Sequence, residues 1–248
     1  MIIAKVQHQN QPKWAIVEAD TAYALEGDRF TNPRKGAKLG PISGMKLLAP
    51  MEVNNKLIGL LGNWRNKGDR DGPGFFIKPP STLINPGEPV IYPKMAKRIV
   101  FEAEIGIVIG KRCKEVSKAD AKGYIMGFTV CNDVTAPEME GKDNVSVLRS
   151  KSFDTFGVVG PWVVTGIDGD NLPLKSWVSD MMYHDTNTKE MLWSTSEIVS
   201  WISQVMTLFP GDVISCGTPP GYDTVKPGDT MKFTIEGIGT LVNPLVKL

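Results

Sequence analysis

The chain has 248 residues and sets 28 Lys plus Arg against 27 Asp plus Glu, a formal net charge of +1. That balance, with no long run of one sign, excludes the electrostatic footprint of a nucleic-acid or membrane-surface protein. Cys113, Cys131 and Cys216 stand far apart with no Cys-x-x-Cys spacing, which speaks against a disulfide framework or zinc site and for a reducing, cytoplasmic setting. The opening Met1-Ile2-Ile3-Ala4-Lys5 lacks the apolar region of a signal peptide, and no stretch approaches the roughly 20 apolar residues of a membrane span. The two histidines, His8 and His184, lie in polar contexts that read as exposed turns.

In chain order, small strands are expected over Ile2 to Val6, Trp14 to Val17 and Thr21 to Leu25, forming a small N-terminal domain that ends near residue 52. The remainder, 53–248, reads as a second and larger domain. Its expected strands are Lys56 to Leu61, Glu88 to Tyr92, Val100 to Ile109, Gly127 to Asn132, Trp162 to Thr165, Gly211 to Ser215 and Asp229 to Ile235. Two helices interrupt them. Ser117 caps a segment reaching Tyr124, and Ser194-Thr195-Ser196-Glu197 has capping-box spacing before Ile198, Trp201, Ile202, Val205 and Met206 at helical intervals. Glycine (25) and proline (18) are frequent, and three Pro-Gly-acid triplets, at 86–88, 210–212 and 227–229, read as turns before β segments. The fold class is therefore mainly β with a few helices.

The chemistry begins with Glu102 and Glu104. On a strand, side chains two residues apart share a face, so these two carboxylates project together out of an apolar run. Buried like charges need a proton or a cation between them, and all-oxygen ligands favour Mg2+, Mn2+ or Ca2+ over zinc. Asp133 closes another apolar run, Ile125 to Asn132. Lys151, in Lys151-Ser152-Phe153-Asp154 without a helix signature, is a candidate to stabilise an oxyanion. Gly217-Thr218-Pro219-Pro220-Gly221 forms a tight loop able to offer N–H groups and a hydroxyl to a carboxylate, and Lys78-Pro79-Pro80-Ser81 is a second polar loop.

Taken in order, Phe76-Ile77-Lys78-Pro79-Pro80-Ser81, Glu102-x-Glu104, Asn132-Asp133-Val134-Thr135-Ala136, Lys151-Ser152-Phe153-Asp154 and Gly217-Thr218-Pro219-Pro220-Gly221 resemble the fumarylacetoacetate hydrolase family over nearly the whole chain. The resemblance implies a distorted β-roll or barrel core with a small N-terminal domain, a homodimer, and Mg2+ or Mn2+ held by Glu102, Glu104 and Asp133. It implies a catalytic lysine at Lys151, a substrate-binding threonine at Thr218, and small 2-oxo acids or 1,3-dicarbonyls as substrates. Two positions depart from the family pattern. Lys67 stands where a catalytic histidine is expected, within Asn63-Trp64-Arg65-Asn66-Lys67-Gly68-Asp69-Arg70-Asp71, and Pro137 replaces an arginine. Losing the water-activating histidine argues for metal-assisted isomerisation, tautomerisation or decarboxylation rather than hydrolysis. On this reading Lys67 takes part in proton transfer, while Arg65, Arg70 and Lys78 are candidates to bind substrate. The alternatives are a C–C hydrolase using Asp69 or Asp71 as base, and a non-catalytic metal- and ligand-binding protein.

Overall fold

The computed structural model describes residues 1–64, 70–140, 147–221 and 224–248. Among these the backbone is mainly β, and its largest sheet has twelve strands. Ten follow one another across the sheet in the order Arg34–Pro41, Thr21–Glu26, Gln11–Glu18, Ile2–His8, Gly157–Val164, Ile125–Asp133, Ala103–Ile109, Val213–Ser215, Leu57–Leu61 and Gly74–Lys78. The two end strands do not pair with each other, so the sheet is open rather than a closed barrel. The N-terminal strands join it through Ile2 opposite Val164 and Ile3 opposite Val163.

A second sheet of five strands is ordered Met181–Asn187, Pro173–Val178, Thr230–Ile235, Gly239–Val246 and Val90–Ile91. Between the sheets lies the main core, where Ile105, Ile107 and Phe128 meet Leu174, Phe233 and Leu241. All seven residues of Ala103–Ile109 are buried, because both faces of this strand are covered. Its odd positions enter the main core, whereas Val108 packs with Leu57, Cys131, Val159 and Val213 in a second cluster. Glu104 lies on the same side as Val108, two alternations away, so strand periodicity alone sends a carboxylate into the protein interior.

Several expectations shift. Val100 to Ile109 is broken at Phe101 and Glu102, leaving Ile99–Val100 and Ala103–Ile109 as separate strands. The Glu102 N–H turns to the Asn132 side-chain oxygen (3.1 Å), so a side chain replaces the sheet acceptor there. The expected Glu88 to Tyr92 strand shortens to Val90–Ile91, since the Glu88 carboxylate folds back on Asn85. The capping box at Ser194 is formed, and it starts helix Thr195–Val205. Lys151, expected outside any helix, closes the short helix Val147–Lys151. Among the described residues no helix is long and apolar enough to cross a membrane.

Candidate active site

Three chain segments converge on one buried cluster. Glu104 enters from its strand, and its Oε2 accepts hydrogen bonds from Ser215 Oγ (2.6 Å) and the Gly217 N–H (2.7 Å). The second bond requires the chain to reverse directly after Val213–Ser215. Gly217 does this at φ +83°, a conformation costly for a residue bearing Cβ. Asp133 ends the neighbouring strand, and its N–H donates to the Glu102 carbonyl (3.1 Å), tying Glu102 to the same end of the sheet. Carboxylate oxygens of Glu102, Glu104 and Asp133 consequently lie within 4.8 Å of one another.

Two lysines offset this charge in different ways. Lys151 Nζ bridges Glu102 Oε2 (2.5 Å) and Asp133 Oδ2 (2.7 Å). Lys78 Nζ lies 2.5 Å from Asp133 Oδ1 with only 1% of its side chain exposed. Its three protons go to the carbonyls of Val134 (3.1 Å), Lys151 (2.9 Å) and Phe156 (2.9 Å). The same ammonium makes a close charge-assisted contact with Asp133 Oδ1, so that oxygen is held by Lys78.

The cluster's ionisation follows from burial and neighbours. Burial pushes the Glu104 carboxyl well above the usual carboxylate range, and repulsion from Asp133 and Glu102 adds to it. Glu102 is also raised by burial, although Lys151 opposes the shift. At Asp133 burial acts in the same direction, but Lys151 and Lys78 overcome it and lower the carboxyl. Lys151 is raised, because Asp133 and Glu102 outweigh the burial that disfavours its charge. For Lys78 burial wins, and its ammonium is held below the ordinary lysine range.

Glu104 Oε1 is buried with no hydrogen-bond partner among the described residues. An unsatisfied carboxylate oxygen within a cluster of three carboxylates suits a hard divalent cation, which coordinates oxygen without needing donors of its own. The donor set therefore fits a hard divalent cation, with Glu102, Glu104 and Asp133 as the residues that would hold it.

The cluster meets solvent through Glu102 and Lys151, which line a cavity of about 230 Å3 with Leu60, Trp64, Glu140 and Thr218. The Thr218 hydroxyl is buried there without a partner among the described residues. The roof is stapled down: Asn63 Nδ2 donates to the Cys216 carbonyl (2.8 Å) and Trp64 Nε1 to the Gly217 carbonyl (2.7 Å).

Of the residues singled out from sequence, the structure brings together Glu102, Glu104, Asp133, Lys151 and Thr218. Lys78 is placed differently from expectation: its ammonium is committed to three carbonyls beneath Asp133, which leaves it no proton for a substrate. Arg70 donates to the carbonyl of Gly62, a cavity-lining residue (3.1 Å), and lies over the Trp193 ring. Arg65, Lys67 and Asp69 fall outside the described residues, while Asp71 is exposed. His184, expected in an exposed turn, is 4% exposed within strand Met181–Asn187. Its Nδ1 pairs with Ser176 Oγ (2.7 Å), and its ring packs edge-on to Phe101 beside Glu102. Sequence reasoning missed Ser215, Asn63, Trp64 and Glu140. For Ser215 the signal was present, two residues before Gly217 at the end of an apolar strand.

A mainly β chain with a buried carboxylate trio opening on a small cavity has the build of an oxygen-ligand metalloenzyme. Residues 55–246 match the family model described as fumarylacetoacetate (FAA) hydrolase C-terminal, and the chain belongs to that family. Residues 1–50 match the Rv2993c-like N-terminal model. The structure is similar to that of 5-carboxymethyl-2-hydroxymuconate delta-isomerase from Mycobacterium smegmatis, with 34% identity, all of both chains covered and a TM-score of 0.94. It is also similar to maleylpyruvate hydrolase from Sphingobium sp. SYK-6 in complex with manganese(II) ion and pyruvate, with 27% identity, 100% of this chain and 99% of that one covered and a TM-score of 0.84. Among sequences, oxaloacetate tautomerase Fahd2a, mitochondrial, from Rattus norvegicus is 32% identical over 222 residues, 83% of this chain and 71% of that protein.

Proposed function

We propose that the protein is a divalent-metal-dependent tautomerase or isomerase of a small 2-oxo or 2-hydroxy-dienoic acid. The observation that carries this reading is the carboxylate trio with an orphaned Glu104 oxygen, opening through Glu102 and Lys151 into a cavity of only about 230 Å3. Pockets for drug-sized ligands run from roughly 300 to 1,000 Å3, so this one suits a compact acid. The relatives described as acting on oxaloacetate and on a hydroxymuconate, and the one holding manganese and pyruvate, support the same substrate chemistry.

A bound Mg2+ or Mn2+ would supply Lewis acidity to the substrate's oxo group, which acidifies the adjacent carbon. The protein's own part is to hold the acid and stabilise charge. Thr218, whose hydroxyl lacks a partner, offers one donor to the substrate carboxylate, and the Lys151 ammonium stands where negative charge grows on oxygen. The stapled Asn63-Trp64 roof keeps the Thr218 loop in place and limits water around the reacting carbon.

The test is the ultraviolet enol band of oxaloacetate, followed with and without Mg2+ and after chelation. Metal-dependent acceleration of keto–enol exchange is expected. No acceleration on oxaloacetate or on a hydroxydienoate would overturn the reading, and release of two acids from an acylpyruvate would redirect it to C–C hydrolysis.

A further inference from the structure

Enolisation needs a base, and the family's histidine position is Lys67 here. We propose that Glu140 is the catalytic base that removes the proton from the carbon beside the oxo group. The inference rests on the tautomerase reading above. Among the described residues lining the cavity there are two carboxylates, Glu102 and Glu140. Glu102 belongs to the metal-ligating trio and is bridged by Lys151. Glu140 belongs to neither, and it shares the cavity wall with Lys151 and Thr218.

Its position is built rather than incidental. Glu140 ends the turn Pro137–Glu140, which is clamped to helix Val147–Lys151 at several points. Ala136 N–H donates to the Ser150 carbonyl (3.0 Å), and Arg149 Nε to the Met139 carbonyl (2.6 Å). Ser150, fully buried, places Oγ 3.3 Å from Glu140 Oε1 and shares its one proton between that oxygen and the nearer Val147 carbonyl (2.8 Å). On the far side, the Glu138 carboxylate accepts from the Lys97 N–H (2.5 Å) and the Arg98 N–H (3.2 Å). The helix that carries Lys151 thus also supports Glu140, so one short element sets the spacing between the ammonium and the base.

The step balances without an added reagent. A Glu140 carboxylate oxygen takes the proton from C3 of the 2-oxo acid, and the C–H electron pair becomes the C2=C3 bond. The carbonyl pair moves onto the C2 oxygen, which takes a proton from water, and Glu140 returns its proton to water. In the reverse direction the protonated acid delivers the proton to C3.

Glu140→Gln tests this, because glutamine keeps a side-chain oxygen for Ser150 while losing basicity. Oxaloacetate enolisation and exchange of the pyruvate methyl protons in deuterated water should both fall by about 10²- to 10⁴-fold, the usual worth of a positioned base. The Mg2+-induced melting shift and oxalate binding should persist, and Glu140→Asp should recover part of the rate. A Glu140→Gln rate within threefold of wild type, or a rate loss that follows a lost metal shift, would overturn the assignment while leaving the tautomerase reading intact. If wild type shows neither enolisation nor proton exchange with Mg2+, the tautomerase reading fails, and the base assignment fails with it.

Discussion

Replacing Glu104 by glutamine should stabilise the metal-free protein while abolishing its response to metal. Glu104 Oε2 is satisfied by Ser215 and Gly217, but Oε1 is buried and orphaned beside two other carboxylates. Such an unpaired buried group costs about 1–3 kcal/mol. In Glu104→Gln the amide oxygen can keep the Ser215 and Gly217 bonds, and the new N–H donors face Glu102 and Asp133. A gain near the middle of that range, about 2 kcal/mol, raises the melting temperature of a chain this size by roughly 4–8 °C. Wild type at a magnesium concentration 100-fold above Kd should gain about 2.7 kcal/mol, and the variant essentially nothing. The pH dependence has a fixed sign. Because the folded Glu104 carboxyl is raised by burial and by its acidic neighbours, the fold binds this proton more tightly than the unfolded chain does. Metal-free wild type therefore loses stability as pH climbs from the ordinary glutamate range through the raised folded value, and Glu104→Gln removes that loss. Differential scanning calorimetry of chelator-treated protein across this range measures both effects. A metal-free variant melting several degrees below wild type, or one keeping the full magnesium shift, would refute the reasoning.

Lys78→Met should cost about 3–5 kcal/mol in chemical denaturation without metal, the usual penalty for breaking a buried ion pair, because Asp133 and three carbonyls lose one ammonium. Added Mg2+ should recover more stability in this variant than in wild type. Lys151→Met should bind Mg2+ more tightly by calorimetry, since the ammonium no longer occupies Glu102 and Asp133, yet turn over more slowly; weaker binding would show that the lysine builds the site. Thr218→Val should leave the melting temperature unchanged, as the hydroxyl has no partner among the described residues, and raise KM about 10- to 100-fold if it donates to a carboxylate.

Legibility in the sequence followed locality. Glu102 and Glu104 are readable because strand alternation and an apolar setting are properties of neighbouring residues, whereas Asp133 joined them only through the family resemblance; the Ser194 helix start is equally local. Strand Gly239–Val246 escaped because its charge-poor, Pro-containing run lacks a clean alternation, and Gly74–Lys78 because it follows a polar, glycine-rich stretch. His184 misled for a related reason. Its sequence neighbours are polar, but the strand carrying them pairs with Pro173–Val178 and lays His184 beneath the loop after Ser215. Lys78 looked like a pocket cation because nothing in Lys78-Pro79-Pro80 reveals that carbonyls from residues 134, 151 and 156 converge on it. Glu140 had no sequence signal at all, since its role depends on a helix seven residues further along that propensity does not announce.

The two lysines explain how a protein tolerates three buried carboxylates before any metal arrives. Lys78 cannot leave: its three protons are held by carbonyls from three different segments, so moving it would orphan those carbonyls as well as Asp133. Lys151 is paired with two of the carboxylates that a divalent ion would claim, and it stands at the cavity wall. Lys151 and Lys78 together keep Asp133 ionised, as a metal ligand requires, and the Lys151 contacts are the ones a divalent ion held by Glu102 and Asp133 would compete with. An assay that separates Lys151 from Lys78 therefore tests which ammonium answers to a divalent ion and which belongs to the architecture of the site.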